Sequence, residues 1–223
     1  MSKTDKDLGL QVQAHLIAQG IETPMLKFPP DRDSEAGRFE RQEEIEEHLA
    51  KVMGLLGLDL EDDSLRDTPR RVAKMFMREI FSGLDYANFP KCTVIDNKMN
   101  VDEMVLERNI TMNSTCEHHL LPILGKAHVA YIPNKKVLGL SKMNRIVKFF
   151  SQRPQVQERL TSQIHAALCY ILETEDVAVI IEAEHACVKT RGIEDACSDT
   201  VTSKISGAFR AAAARHELLT FIK

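Results

Sequence analysis

Two segments far apart in the chain carry the same unusual cargo. Residues 113–122 read NSTCEHHLLP, with Cys116, Glu117, His118 and His119 in a row. The later run DVAVIIEAEHACV ends in His185 and Cys187. Strand alternation puts those two on the same side as Val179, Ile181 and Ala183, with Glu182 and Glu184 on the other. A thiol and an imidazole on an apolar strand face are costly unless they find partners. The nearest candidates are Cys116 and His119, whose C-x-x-H spacing lets a tight loop aim two donors at one ion. A fold that partners these donors would bring the two segments together around one metal.

Together they offer more donors than a tetrahedral zinc needs. Four protein ligands would make a closed structural site, whereas three would leave a position for water and chemistry. In the second case the surplus imidazoles suit proton transfer. Without a metal, the same residues would be buried cysteines and surface histidines. The H-x-E with P-C-x-x-C pattern of zinc nucleobase deaminases is absent. The five cysteines (92, 116, 169, 187 and 197) are odd in number and irregular in spacing, which points to a reducing cytoplasm rather than a disulfide framework.

Composition narrows the partners. A net charge of −4, no Trp and 5% aromatics argue against a general nucleic-acid surface. Any anionic ligand must be held by a local basic cluster. No apolar run approaches the ~20 residues of a membrane span, and MSKTDKDLGLQVQ lacks the apolar core of a secretion signal.

The first third reads as helical: DKDLGLQVQAHLIAQG closed by Gly20, a Pro-containing connector, then RFERQEEIEEHLAKVMGLLG. In the second helix Ile45, Leu49, Val52 and Leu55/Leu56 share a side. DTPRRVAKMFMREIFSGL follows, with Thr68 before Pro69 as the expected N-cap and first turn. From about residue 92 the texture turns to strands, CTVID, MVLERNIT and KAHVAYIP, with turns expected at Leu124-Gly125 and Pro133-Asn134. SKMNRIVKFFSQ and PQVQERLTSQIHAALCYILETE then read as a helix pair split at Arg153-Pro154, followed by the strand DVAVIIEAEHACV and a helical tail. This order predicts an α+β fold with a largely antiparallel sheet, divided into an N-terminal helical region over 1–90 and a sheet-bearing domain over 91–223, to which the resemblance given below assigns catalysis.

Basic groups cluster in three places. Ser141 is the expected N-cap of a helix whose first amides would suit a phosphate, and Lys142, Arg145 and Lys148 follow on one flank. Lys189 and Arg191 come directly after the presumed metal strand, and Arg71 and Lys74 flank an earlier helix. Taken singly, each set usually reads as a solvated face, though basic residues directly beside a presumed metal segment are less easily dismissed. Glu158 projects away from the core face formed by Val156, Leu160, Ile164 and Leu168. It is either a surface carboxylate or an acceptor for the two N–H groups on the Watson–Crick edge of guanine.

Taken together, DDSLRDTPRRVAKMF, EIFSGLDYANFP, STCEHH, AYIPNKKVLGLSKMNRIVKFFSQRPQVQERLT and HACVKTRGI resemble the zinc-dependent GTP cyclohydrolase I family, from about Asp62 to the C-terminus. The resemblance implies one zinc per subunit on Cys116, His119 and Cys187. It implies a purine held by Glu158 with Gln157 beside it, and a triphosphate held by Ser141, Lys142, Arg145 and Arg191, with Arg71 and Lys74 contributing. His185 is the implied proton donor, His118 a second acid/base group, and Ser141 a proton relay near the ribose. The implied product is 7,8-dihydroneopterin triphosphate, with formate released, at the start of folate and pterin synthesis. The implied architecture is the tunnelling fold: an antiparallel sheet backed by a helix pair, closed into a barrel by five subunits. Two such rings stack as a decamer with active sites between subunits. Other tunnelling-fold enzymes, such as a deazaguanine nitrile reductase or a pterin synthase, are the nearest alternatives, and the two ligand-bearing segments argue for zinc over a nucleophilic cysteine. A zinc-stabilised oligomer that only binds nucleotides is the non-catalytic alternative.

Overall fold

The computed structural model describes residues 3–223; the first two residues of the expected N-terminal region lie outside the described residues. The chain divides into two compact units, residues 24–82 and the remainder, 1–23 with 83–223.

The larger unit opens with α1 (Lys6–Ala18), capped by Asp5, whose side chain accepts from the Leu8 amide at 3.1 Å. Val12 and Leu16 are its fully buried residues, and α1 ends where Gly20 adopts φ +69, as the sequence predicts.

The smaller unit is helical: α2 (Pro30–Asp33), α3 (Glu35–Leu55) and α4 (Thr68–Met75), extended by a π-turn over Phe76–Ile80. α3 packs against α2 and α4, and Arg78 Nε donates to Gln42 Oε1 at 3.0 Å. The expected cap at Thr68 is displaced by one residue. Asp67 is the N-cap, without a side-chain capping bond, and Pro69 occupies the first turn, where its missing N–H costs nothing. Of the apolar side expected of α3, Ile45 and Leu49 are half-buried, whereas Val52, Leu55 and Leu56 are exposed.

The sheets follow in the larger unit. A small one pairs β1 (Val94–Asp96) with β4 (Lys136–Leu138). The main sheet takes β2 (Val105–Cys116), β3 (Pro122–Tyr131), β5 (Pro154–Gln155), β6 (Val177–His185) and β7 (Thr200–Ile205) in the order β5-β2-β3-β6-β7. All its neighbours are antiparallel except the short β2–β5 pair. Leu124-Gly125, expected as a turn, lies inside β3. A Cβ on Gly125 would meet the Glu182 carbonyl oxygen at 2.2 Å, so glycine here serves close strand approach rather than a turn.

One face of the sheet is covered by α5 (Leu140–Ser151) and α6 (Gln157–Leu172), with α5 against β2 and α6 against β6 and β7. Ile146, Phe150, Leu160 and Ile164 are fully buried there. On the other face, α8 (Ala212–Ile222) and a 3-10 turn seat Leu218 and Phe209 against Ala130, Ala178 and Ile180. The α+β class with a largely antiparallel sheet and a helix pair is as the sequence predicts. The boundary expected after residue 90 separates regions by role; the compact units follow packing, and α1 falls with the sheet because it packs on α6.

Candidate active site

Three strand ends converge at one edge of the helix pair. β2 delivers Cys116 as its last residue, and the following turn is wound by backbone bonds, Leu120 N–H to the Cys116 carbonyl and Cys116 N–H to the Leu121 carbonyl, both 2.8 Å. β5 clamps the same place: Thr115 pairs with Pro154 and Cys116 with Gln155, and Glu117 N–H donates to the Gln155 carbonyl at 3.0 Å. Here Arg159 from the first turn of α6 reaches Glu117, with contacts of 2.5 and 3.3 Å to its two carboxylate oxygens. That bidentate clamp ties the donor loop to the helix carrying Glu158. The sequence reading assigns no role to Glu117, although it stands among the donors, and none to Arg159, because each alone reads as a surface charge.

The third end is β6. It stops at His185, and Cys187 lies not on the strand but in a single helical turn, α7 (Ala186–Lys189). Strict alternation would have kept both side chains on the apolar face; the turn instead swings Cys187 toward the loop. One ligand atom each from Cys116, His119 and Cys187 then lies within 4.8 Å of the others. Two thiols and an imidazole so disposed suit a zinc-like ion. Burial, and then the adjacent Cys116 thiol, push the Cys187 thiol's pKa up, a penalty that a bound cation would reverse. The donor set therefore fits the metal that the sequence implies. His118 Nδ1 lies 3.9 Å from Cys116 Sγ, with its side chain largely exposed.

Arg191, just past α7, donates from Nη1 to His119 Nε2 at 2.8 Å. A guanidinium has no acceptor, so His119 accepts there. On the other side, His185 Nε2 lies 2.8 Å from Gln157 Oε1. Burial lowers the His185 pKa, while the charge of nearby Glu158 works the other way. Glu158 itself is exposed on α6, as its spacing predicts.

The remaining basic residues sit elsewhere. Ser141 is not the N-cap: Gly139 is, without a side-chain capping bond, and Ser141 occupies the first turn of α5. Ser141 and Arg145 are exposed, with Lys142 half-buried. The charges of Lys142 and Arg145 act on Cys92, which lines a cavity with Cys169, Glu173 and Glu175 at the C-terminal end of α6. The donor cluster adjoins the opposite end of that helix, whose 16 residues span about 24 Å. Arg71 and Lys74 lie exposed on α4 in the smaller unit, with Arg71 3.4 Å from Asp67.

The sequence model of GTP cyclohydrolase I matches residues 45–223. The GTP cyclohydrolase 1 of Aliivibrio salmonicida is 57% identical over 213 residues, covering 95% of each chain. That of Shewanella amazonensis is 59% identical over 200 residues, 90% of each. That of Vibrio campbellii is 57% identical over 202 residues, 91% of this chain and 93% of the other. Similarity of this depth, running through both donor segments and the helix pair between them, makes the chain a member of the GTP cyclohydrolase I family.

Proposed function

We propose that the protein hydrolyses and rearranges GTP to 7,8-dihydroneopterin triphosphate and formate, the entry to folate and pterin synthesis. The observation that carries this reading is the meeting of the Cys116–His119–Cys187 cluster with His185 and the Glu158 turn of α6. Cys116, His119 and Cys187 would hold one zinc ion, which supplies Lewis-acid activation of water when bound.

The chain's own groups do the rest. Glu158 accepts the N1–H and the exocyclic amine of guanine, a fork that adenine cannot offer. His185 gives a proton to N7 as water adds at C8 and the imidazole ring opens, and His118 serves the second hydrolysis that frees C8 as formate. Ser141 passes a proton during rearrangement of the ribose, after which the freed amine closes the pyrazine ring. Ser141, Lys142, Arg145 and Arg191 grip a triphosphate that is never cleaved, so its binding energy serves positioning. Arg71 and Lys74 add to that grip.

Lys142 and Arg145 act on Cys92 beside the C-terminal end of α6, whereas Glu158 and the donor cluster adjoin its N-terminal turn, with Ser141 on the same first turn of α5 as Lys142. Placement at opposite ends of α6 supports a site completed by a neighbouring subunit, in a tunnelling-fold pentamer stacked into a decamer. The exposed Leu55 and Leu56 of the helical unit suit an assembly role for the N-terminal region. No helix among the described residues is long and apolar enough to cross a membrane, and the cysteine pattern favours the cytoplasm.

The direct test is incubation with GTP, with and without a zinc chelator, assaying formate and, after oxidation, pterin fluorescence. Equimolar products, both lost with chelator, are expected; a zinc-loaded assembly yielding neither would overturn the reading.

A further inference from the structure

Gln157 opens α6 with its side chain 1% exposed. Its Nε2 lies 3.1 Å from the Ile181 carbonyl oxygen, 2.9 Å from that of Thr200 and 3.1 Å from Thr202 Oγ1. Carbonyl oxygens only accept, so the amide nitrogen must face them; the flipped amide would set Oε1 against two carbonyls in a buried layer. The threonines agree with this polarity. Thr161 Oγ1 donates to the Gln157 carbonyl at 2.7 Å, so Thr202 Oγ1, also 2.7 Å from Thr161 Oγ1, donates to Thr161 and keeps a lone pair for Gln157.

With its nitrogen committed to β6 and β7, Gln157 turns Oε1 toward His185 Nε2 at 2.8 Å. An amide oxygen cannot donate, so the proton in this bond belongs to His185 Nε2. We propose that Gln157 is a positioning residue that holds His185 in its Nε2–H tautomer and fixes the orientation of the ring, leaving Nδ1 bare in the neutral imidazole. The tautomer stands on these contacts alone; its part in catalysis rests on the function proposed above. This role differs from purine contact, because the polar atoms of the Gln157 side chain are all engaged inside the chain.

The test uses the intact, metal-loaded protein labelled with ¹⁵N-histidine, with the His185 resonances identified by their loss in His185→Asn. The neutral imidazole should show Nε2 protonated and Nδ1 bare, and Gln157→Met should admit the opposite tautomer. In the same variant, kcat for formate release should fall by about tenfold or more, with KM for GTP within about twofold, the pattern of a lost transition-state interaction. Gln157→Asn, which withdraws the oxygen by one methylene, should behave alike and serves if Gln157→Met does not fold. A wild-type His185 protonated on Nδ1 would overturn the proposal. So would an unchanged tautomer in a folded variant, or a raised KM with kcat intact, which would make Gln157 a substrate contact. Wild-type protein that makes no formate from GTP would remove the reaction and with it the catalytic role, while the spectrum still decides the tautomer.

Discussion

The Arg153 guanidinium meets the Glu22 carboxylate at 3.0 Å, with none of the Arg153 side chain and 9% of the Glu22 side chain exposed. Arg153 also donates to the Gly83 carbonyl at 2.5 Å, and lies within about 5 Å of the ring centroids of Phe149 and Phe150. Glu22 follows α1, and Arg153 precedes the β5 residues that hold Cys116, so this pair links the start of the chain to the donor loop. Removing one partner strands a buried charge. Glu22→Ala should destabilise the protein by about 3–5 kcal/mol, measurable as a lowered urea midpoint, and far more than an exposed Glu44→Ala.

Cys116→Ser should abolish metal binding and formate release while leaving the fold and assembly in place, because backbone bonds shape the loop. Metal content by mass spectrometry and size by light scattering check both halves. An active, metal-loaded variant would remove Cys116 from the donor set.

Metal removal has a second consequence. Cys116 and Cys187 offer donor atoms within 4.8 Å, so air exposure of the metal-free protein should join them. Peptide mapping should find a Cys116–Cys187 disulfide, with Cys92 and Cys169 still reduced; two free thiols at the site would count against this.

Burial, and then the charge of Lys204, lower His165 from 6.5 to about 4. Its Nε2 lies 2.7 Å from Ser206 Oγ. The unfolded chain takes up this proton first as pH falls, so the native state loses stability from about pH 6.5 down to about pH 4 and no further from this group. The loss amounts to roughly 3 kcal/mol. His165→Gln should flatten the dependence of Tm on pH across that window; an unchanged slope would show that His165 is not its source.

If one catalytic site draws on two subunits, inactive variants should complement. Cys116→Ser and Arg145→Ala subunits, each inactive alone, should regain formate release when dissociated and reassembled together. Continued inactivity of the mixed assembly would place both half-sites in one chain.

The strand alternation and helical periods made the sheet, the helix pair and the donor segments legible, since each is written locally. What escaped depends on tertiary context. β7 (Thr200–Ile205) is mostly exposed, so it lacks the apolar alternation that marks a half-buried strand. Gly125 mimics a turn residue, and its true reason, the β6 backbone against it, exists only in the fold. The turn at α7 that re-aims Cys187 follows a strand with no breaker in its sequence. Glu117 and Arg159 gain meaning only by meeting each other.

The donor loop has a further property. Leu120, at φ 53, holds a left-handed conformation that costs a leucine about 1–2 kcal/mol. Two backbone bonds across the turn, the β5 strand and the Glu117–Arg159 clamp together offset that cost. None of these uses the Cys116 thiol or the His119 ring. The socket is thus made by one set of residues and its chemistry by another, so selection can exchange donors, and with them the metal or the reaction, without rebuilding the turn that presents them.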